Sequence, residues 1–150
     1  MQPLNYPVYD FKLKTEKQRT EIFDVVRKKY VALTPEEWVR QHTIRYLAEE
    51  KKFPLSLIAV EVSLNRGTKK QRADIVIYTT DGKPRMIVEC KAPEVKITQE
   101  TFFQIARYNA PLKMSYLVVT NGINHYCCKM DYENGEHRFL KEVPMFHLLA

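Results

Sequence analysis

The chain has 150 residues, 45% apolar and 28% charged, with 24 Lys and Arg against 18 Asp and Glu for a net charge of +6. That length fits one domain and leaves little room for two cores. The composition is that of a globular protein and excludes intrinsic disorder. No apolar run approaches the roughly 20 residues of a membrane helix. Residues 1–10 carry no basic start followed by an apolar stretch, so no signal peptide is expected. The cysteines, Cys90, Cys127 and Cys128, are odd in number and two are adjacent. This argues against a disulfide framework or zinc knuckle and for a reducing, cytoplasmic setting. The basic balance suits a polyanionic partner and an ordinary surface equally.

Residues 1–33 read as an N-terminal extension, with Pro3 and Pro7 near its start, and 34–150 as the main part of a single globular unit. Within 15–30, Ile22, Phe23, Val25 and Val26 lie among charges, a pattern open to a strand or a short helix. The first definite element begins at Thr34-Pro35-Glu36-Glu37. A hydroxyl at the N-cap, proline at the first helical position and glutamate three residues past the cap make a capping box. Val39, Tyr46 and Leu47 give this helix an apolar stripe, and it is expected to run to about Lys52, before Pro54. The period then changes to two. Residues 57–64 read as a strand, 65–72 as a polar, basic loop, and 73–79 and 84–91 as strands joined by a turn at Asp81-Gly82. Thr98 caps a second helix that ends near Asn109, before Pro111. Strands follow at 115–120 and 123–130 around the Asn121-Gly122 turn, and at 137–140 after Asn134-Gly135. The order predicts an α/β fold with a mixed central sheet flanked by helices.

The Asp81-Gly82 turn carries a geometric consequence. With these as the two central residues, Thr80 faces Lys83 and Asp74 falls directly opposite Glu89. Asp74, Val76 and Tyr78 then share a face with Glu89, Ile87 and Arg85, while Ala73, Ile75 and Ile77 oppose Cys90, Val88 and Met86. Opposed side chains have Cβ atoms about 4.5–5.5 Å apart, and like charges so placed destabilise a sheet. The pair needs positive charge between it. Mg²⁺ serves, since it takes one or two carboxylates plus phosphate and water. Lys91, on Glu89's face and roughly 6–7 Å along the strand, can reach a phosphate oxygen. The plainer alternative is a Lys91 salt bridge at a strand end with no chemistry.

At these residues the sequence resembles the PD-(D/E)xK nuclease superfamily. Asp74 followed by Glu89-Cys90-Lys91 matches its motif. The wider segments, 72–78 and 88–93, most resemble the N-terminal nuclease domain of type I restriction enzyme R subunits. Gln104 and Tyr108 match the Gln-xxx-Tyr motif of the subgroup shared with helicase-linked repair nucleases, and Thr120-Asn121-Gly122 resembles the end of the following strand. The likeness covers about 34–145. Ala73 stands where the motif's name has proline.

The resemblance implies a restriction-endonuclease-like fold, with 34–150 as a nuclease-like domain. It implies a metal-dependent DNA endonuclease, or the nuclease module of a type I restriction-like or defence system. Mg²⁺, with Mn²⁺ as a substitute, would be held by Asp74, Glu89 and the carbonyl of Cys90. Lys91 would orient or deprotonate the attacking water and stabilise charge at phosphorus. The partners implied are DNA and other subunits of a restriction or repair complex; a homo-oligomer is compatible, and no membrane is involved. R subunits carry an ATP-driven motor after this domain, but no phosphate loop ending in Gly-Lys-Ser/Thr occurs in these residues, so translocation is not expected of them. The rival reading is a catalytically inactive DNA-binding or protein-interaction module of the same fold, and RNA cleavage is a second.

Several residues carry two readings. Gln104 and Tyr108 lie with Thr101 along one edge of the second helix, either bordering the site or marking an amphipathic boundary. Glu61 interrupts an apolar strand and is a candidate extra metal ligand, because the related fold often draws a further acid from the first helix or strand. Glu37 is the capping-box partner, with a site role open. Arg66, Lys69, Lys70 and Arg72 form either a grip on the DNA backbone or a solvated loop. Arg40 and Arg45 read as exposed helix arginines, Cys90 as a buried apolar residue, Trp38 as packing. Cys127, Cys128 and the four histidines lack metal spacing.

Overall fold

Thr34 begins the first helix as its sequence predicts. The structure is a computed structural model that describes residues 1–149, with Arg66 by its backbone alone. The Thr34 hydroxyl accepts the Glu37 N–H at 3.0 Å, Pro35 takes the first helical position, and α1 spans Pro35–Glu49. Such a cap contributes on the order of 1 kcal/mol. Only half of the expected box forms. The Thr34 N–H donates to the Ala32 carbonyl, and the Glu37 carboxylate turns to arginines instead. The helix stops short of Lys52, which turns to φ +62 and lets the Phe53 N–H fold back onto the Leu47 carbonyl at 3.0 Å.

The undecided stretch before α1 is strand. β1 (Leu13–Glu16), β2 (Arg19–Asp24) and β3 (Lys29–Ala32) make a three-stranded antiparallel sheet. Lys17 and Gln18, at φ 48 and 66, form the two-residue turn that suits a tight hairpin. Ahead of β1 the chain runs along α1, where Phe11 packs on Trp38 and His42, and Tyr9 on His42. This cover adds His42 to Val39, Ile44 and Leu47 among the residues that α1 buries.

The main sheet has the order β4-β5-β6-β7-β8-β9. Its strands are β4 (Ile58–Arg66), β5 (Lys69–Tyr78), β6 (Pro84–Cys90), β7 (Tyr116–Thr120), β8 (His125–Asp131) and β9 (Glu136–Leu140). Neighbours are antiparallel except β6 and β7, which are parallel. A parallel pair needs a crossover, and α2 (Gln99–Asn109), capped by Thr98, lies in it. One face packs Ile75, Ile77, Met86, Val88 and Cys90 with Val39, Ile44 and Leu47 of α1. The other packs Val76, Ile87 and Leu117 with Phe102 of α2. The mixed sheet between helices is the expected α/β arrangement.

Two turns differ from expectation. The basic loop at 65–72 is a hairpin, in which pairing runs out to Arg66 opposite Lys69. Gly67, at φ +63, supplies the left-handed residue that this tight turn requires. The β5–β6 connection has three loop residues rather than two, because the Thr79 N–H donates to the Lys83 carbonyl at 2.9 Å. A register shift between Ile77 and Tyr78 absorbs the extra residue. Ile77 then pairs with Met86, Val76 with Ile87 and Ile75 with Val88, as the sequence reading requires. The pairing ends there, and beyond it the Asp74 carboxylate accepts the Cys90 N–H at 2.7 Å.

Candidate active site

The sheet switches faces at the level of Asp74. In β4, Ile58 and Val60 pack on the α1 side, whereas Val62 and Leu64 pack on the α2 side. In β5, Ile75 packs on the α1 side and Ala73 on the α2 side, which corrects the expectation that Ala73 shares a face with Ile75. Strict alternation would keep residues two apart on one face. The ladder pairs Val60 with Ile75 and Val62 with Ala73 but skips Glu61 and Asp74 between them. Glu61 takes φ +52, a conformation that costs a non-glycine residue about 1–2 kcal/mol. Both side chains thereby meet Arg40 of α1, so Asp74 does not share the face of Val76 and Tyr78 as expected.

Asp74 is held at two points. Its Oδ2 accepts the Cys90 N–H at 2.7 Å, and its Oδ1 faces Arg40 Nη2 at 3.9 Å. Glu89 lies close enough to feel its charge. Burial, then the charge of Asp74, pushes the Glu89 carboxyl up to about 7, against a smaller downward pull from Lys91. Burial beside a second carboxylate thus makes the Glu89 charge costly, and a cation between the two would relieve that cost. Lys91 follows β6, and its N–H donates to the Thr120 carbonyl at 2.8 Å. Glu36, in the first turn of α1, feels the same field. Burial and the Asp74 charge raise its carboxyl, while Arg40 and Lys91 draw it down. Glu36 thus feels the charge of this site from an exposed position in the first turn of α1.

Behind Asp74 lies a charged network. Arg40 Nη1 is 3.3 Å from Glu61 and its Nε 3.5 Å from Glu37. Arg27, on the turn after β2, places Nε 2.5 Å from Asp24, Nη2 3.0 Å from Glu37 and Nη1 3.3 Å from Glu61. Arg72 donates to Glu61 at 2.8 Å. Burial works against the Glu61 charge, but Arg40, Arg27 and Arg72 outweigh it and hold the carboxyl below its usual range.

The residues 35–144 match the family model described as type I restriction enzyme R protein N terminus (HSDR_N). The chain belongs to that family. A solved fragment assigned to an HsdR subunit of a type I restriction enzyme from Vibrio vulnificus YJ016 is similar in fold, with a TM-score of 0.54 at 23% identity. The match covers 78% of this chain and 24% of that one, so the chain spans about a quarter of its relative. The restriction-endonuclease-like fold follows. No curated protein matches the chain.

The R-protein N terminus thus brings some of the expected residues together and leaves others apart. Asp74, Glu89 and the Cys90 backbone converge, with Lys91 beside them. Glu61 does not join them as a ligand but lies among guanidinium groups. The Cys90 side chain is buried in the core that packs against α1 and is not part of the site. Gln104 and Tyr108 lie on exposed positions of α2, which buries Phe102 and Asn109 instead. Lys69, Lys70 and Arg72 are exposed on the hairpin, and the Arg66 side chain lies outside the described residues. Arg40 is 5% exposed, not the solvated arginine its helix suggested. Its signal was the spacing, since Glu36, Glu37 and Arg40 fall on one edge of α1. Among the described residues no three His, Cys, Asp and Glu side chains form a ready-made metal cage. A hard cation that keeps its water needs only one or two carboxylates, and Asp74 and Glu89 lie close enough together to supply two. No helix among them is long and apolar enough to cross a membrane.

Proposed function

We propose that this chain is the nuclease module of a type I restriction-like system, an endonuclease that hydrolyses phosphodiester bonds of DNA with Mg²⁺, or Mn²⁺ in its place. The observation that carries this reading is the convergence on one point of Glu89, Lys91 and Asp74, whose Oδ2 is fixed by the Cys90 N–H at 2.7 Å. Asp74, Glu89 and the Cys90 carbonyl would hold the cation, with Glu36 the nearest further acid. The cation would supply Lewis-acid polarisation of the scissile phosphate. Asp74, fixed through the Cys90 N–H, keeps its carboxylate aimed at that point. Lys91 orients the attacking water and stabilises the charge that develops on the phosphate oxygens. The exposed Lys69, Lys70 and Arg72 support a grip on the DNA backbone, which weakens as salt rises. Gln104 and Tyr108 of α2 border the path of the strand. Other subunits of a restriction complex are the partners this reading calls for.

Incubating the protein with supercoiled DNA tests it. Nicking with Mg²⁺ or Mn²⁺ is expected, absent with chelator and lost in Asp74→Ala. Lys91→Ala is expected to slow it on the order of 10² to 10³. A folded wild type that retains DNA in a gel shift but never cuts it would replace this reading with that of a binding module.

A further inference from the structure

We infer that Arg27, in the N-terminal three-stranded sheet, is a positioning residue for the cation site at Asp74. The inference rests on the cation site proposed above, but the residue lies outside the stretch 35–144 that carries the family match. Asp24, fully buried, prepares it by accepting the Val26 and Arg27 N–H groups at 2.7 and 3.0 Å. All three nitrogens of the Arg27 fork then face carboxylates, those of Asp24, Glu37 and Glu61. A planar fork can hold three acids at fixed angles, which a lysine cannot.

Glu37 and Glu61 are also the two acids that hold Arg40, whose remaining nitrogen faces Asp74. Among the described residues Arg40 Nε and Nη1 have no hydrogen-bond partner, so the place of Arg40 depends on the charges around it rather than on directed bonds. Glu61 is in addition the residue at φ +52, where both β4 and β5 turn to the α1 side. A strained residue persists only where its surroundings over-determine it, and Arg27 is one of the three groups that do so here. Without Arg27, Glu37 and Glu61 repel one another and draw Arg40 off Asp74. Glu61 relaxes, and the ladder step that aims Asp74 goes with it. The N-terminal sheet is on this account a part of the site.

Manganese binding by calorimetry at one pH, well below every melting temperature, tests this without reference to cleavage. Four proteins are compared: wild type, Asp74→Asn, Arg27→Gln and Ile22→Val. Ile22 is fully buried in β2, so Ile22→Val loosens the same sheet without touching the fork. Wild type is expected to bind one Mn²⁺, Asp74→Asn none, Arg27→Gln at least tenfold more weakly than wild type, and Ile22→Val as wild type does. Arg27→Lys, which keeps the charge but not the fork, is expected to fall likewise and serves where Arg27→Gln does not fold. Unchanged or tighter binding in the Arg27 variants overturns the inference, as does an equal loss in Ile22→Val. Those outcomes leave the cation site standing. A wild type that binds no Mn²⁺, or an Asp74→Asn that still binds it, overturns the cation site itself and this inference with it.

Discussion

The two flanks of the Asp74–Glu89 pair are built from different chemistry. On the β4 side, Arg27, Glu37, Arg40 and Glu61 form a charged network. On the β7 side, a neutral one joins the Tyr6 hydroxyl to Thr43 at 2.9 Å and to Thr120 at 3.4 Å, and Thr120 to His125 at 2.7 Å. Burial keeps both titratable members neutral, raising the Tyr6 hydroxyl and lowering His125. The contrast follows from what each flank holds. The charged flank faces carboxylates and must supply positive charge in a partly dry place. The neutral flank holds backbone, since the Thr120 carbonyl takes the Lys91 N–H. Removing one partner of a buried ion pair strands the others, whereas losing one neutral hydroxyl forfeits only a bond.

The largest expected effect is on the charged flank. Arg40→Met leaves Glu37, Glu61 and Asp74 without their shared cation and is expected to cost about 3–5 kcal/mol in denaturant unfolding. A smaller effect concerns pH. The Glu89 carboxyl lies above its ordinary value when folded, so the native state binds the extra proton. Stability from this group is complete below the ordinary Glu value of about 4.5 and is lost as pH rises through about 7. In cation-free protein that loss is expected to be on the order of 1–3 kcal/mol, and Glu89→Gln should flatten it. The smallest effect lies on the neutral flank. Tyr6→Phe is expected to cost about 0.5–1.5 kcal/mol and to leave Mn²⁺ affinity as in wild type. A Tyr6→Phe loss as large as that of Arg40→Met would erase the distinction between the flanks.

Much of the site's frame was legible before the structure. The register of Ile75, Val76 and Ile77 against Val88, Ile87 and Met86 was readable because alternation and turn position constrain it, and a one-residue error in the turn was cancelled by the shift at Ile77 and Tyr78. Both helix caps were readable because threonine before a helical run satisfies orphan N–H groups locally. The face switch was not, because nothing in the residue type of Glu61 announces φ +52. Nor was the burial of Arg40, which depends on Arg27 and Asp24 arriving from a separate sheet. Local pattern records what a residue does along its own element. It does not record which distant charges meet it.

Diffraction from crystals grown with Mn²⁺, read as an anomalous difference map, tests the central claim most directly. One Mn²⁺ is expected, bound by the Asp74 and Glu89 carboxylates, with Glu61 still among its arginines. A peak at Glu61, or none between Asp74 and Glu89 in crystals soaked to saturation, would contradict it.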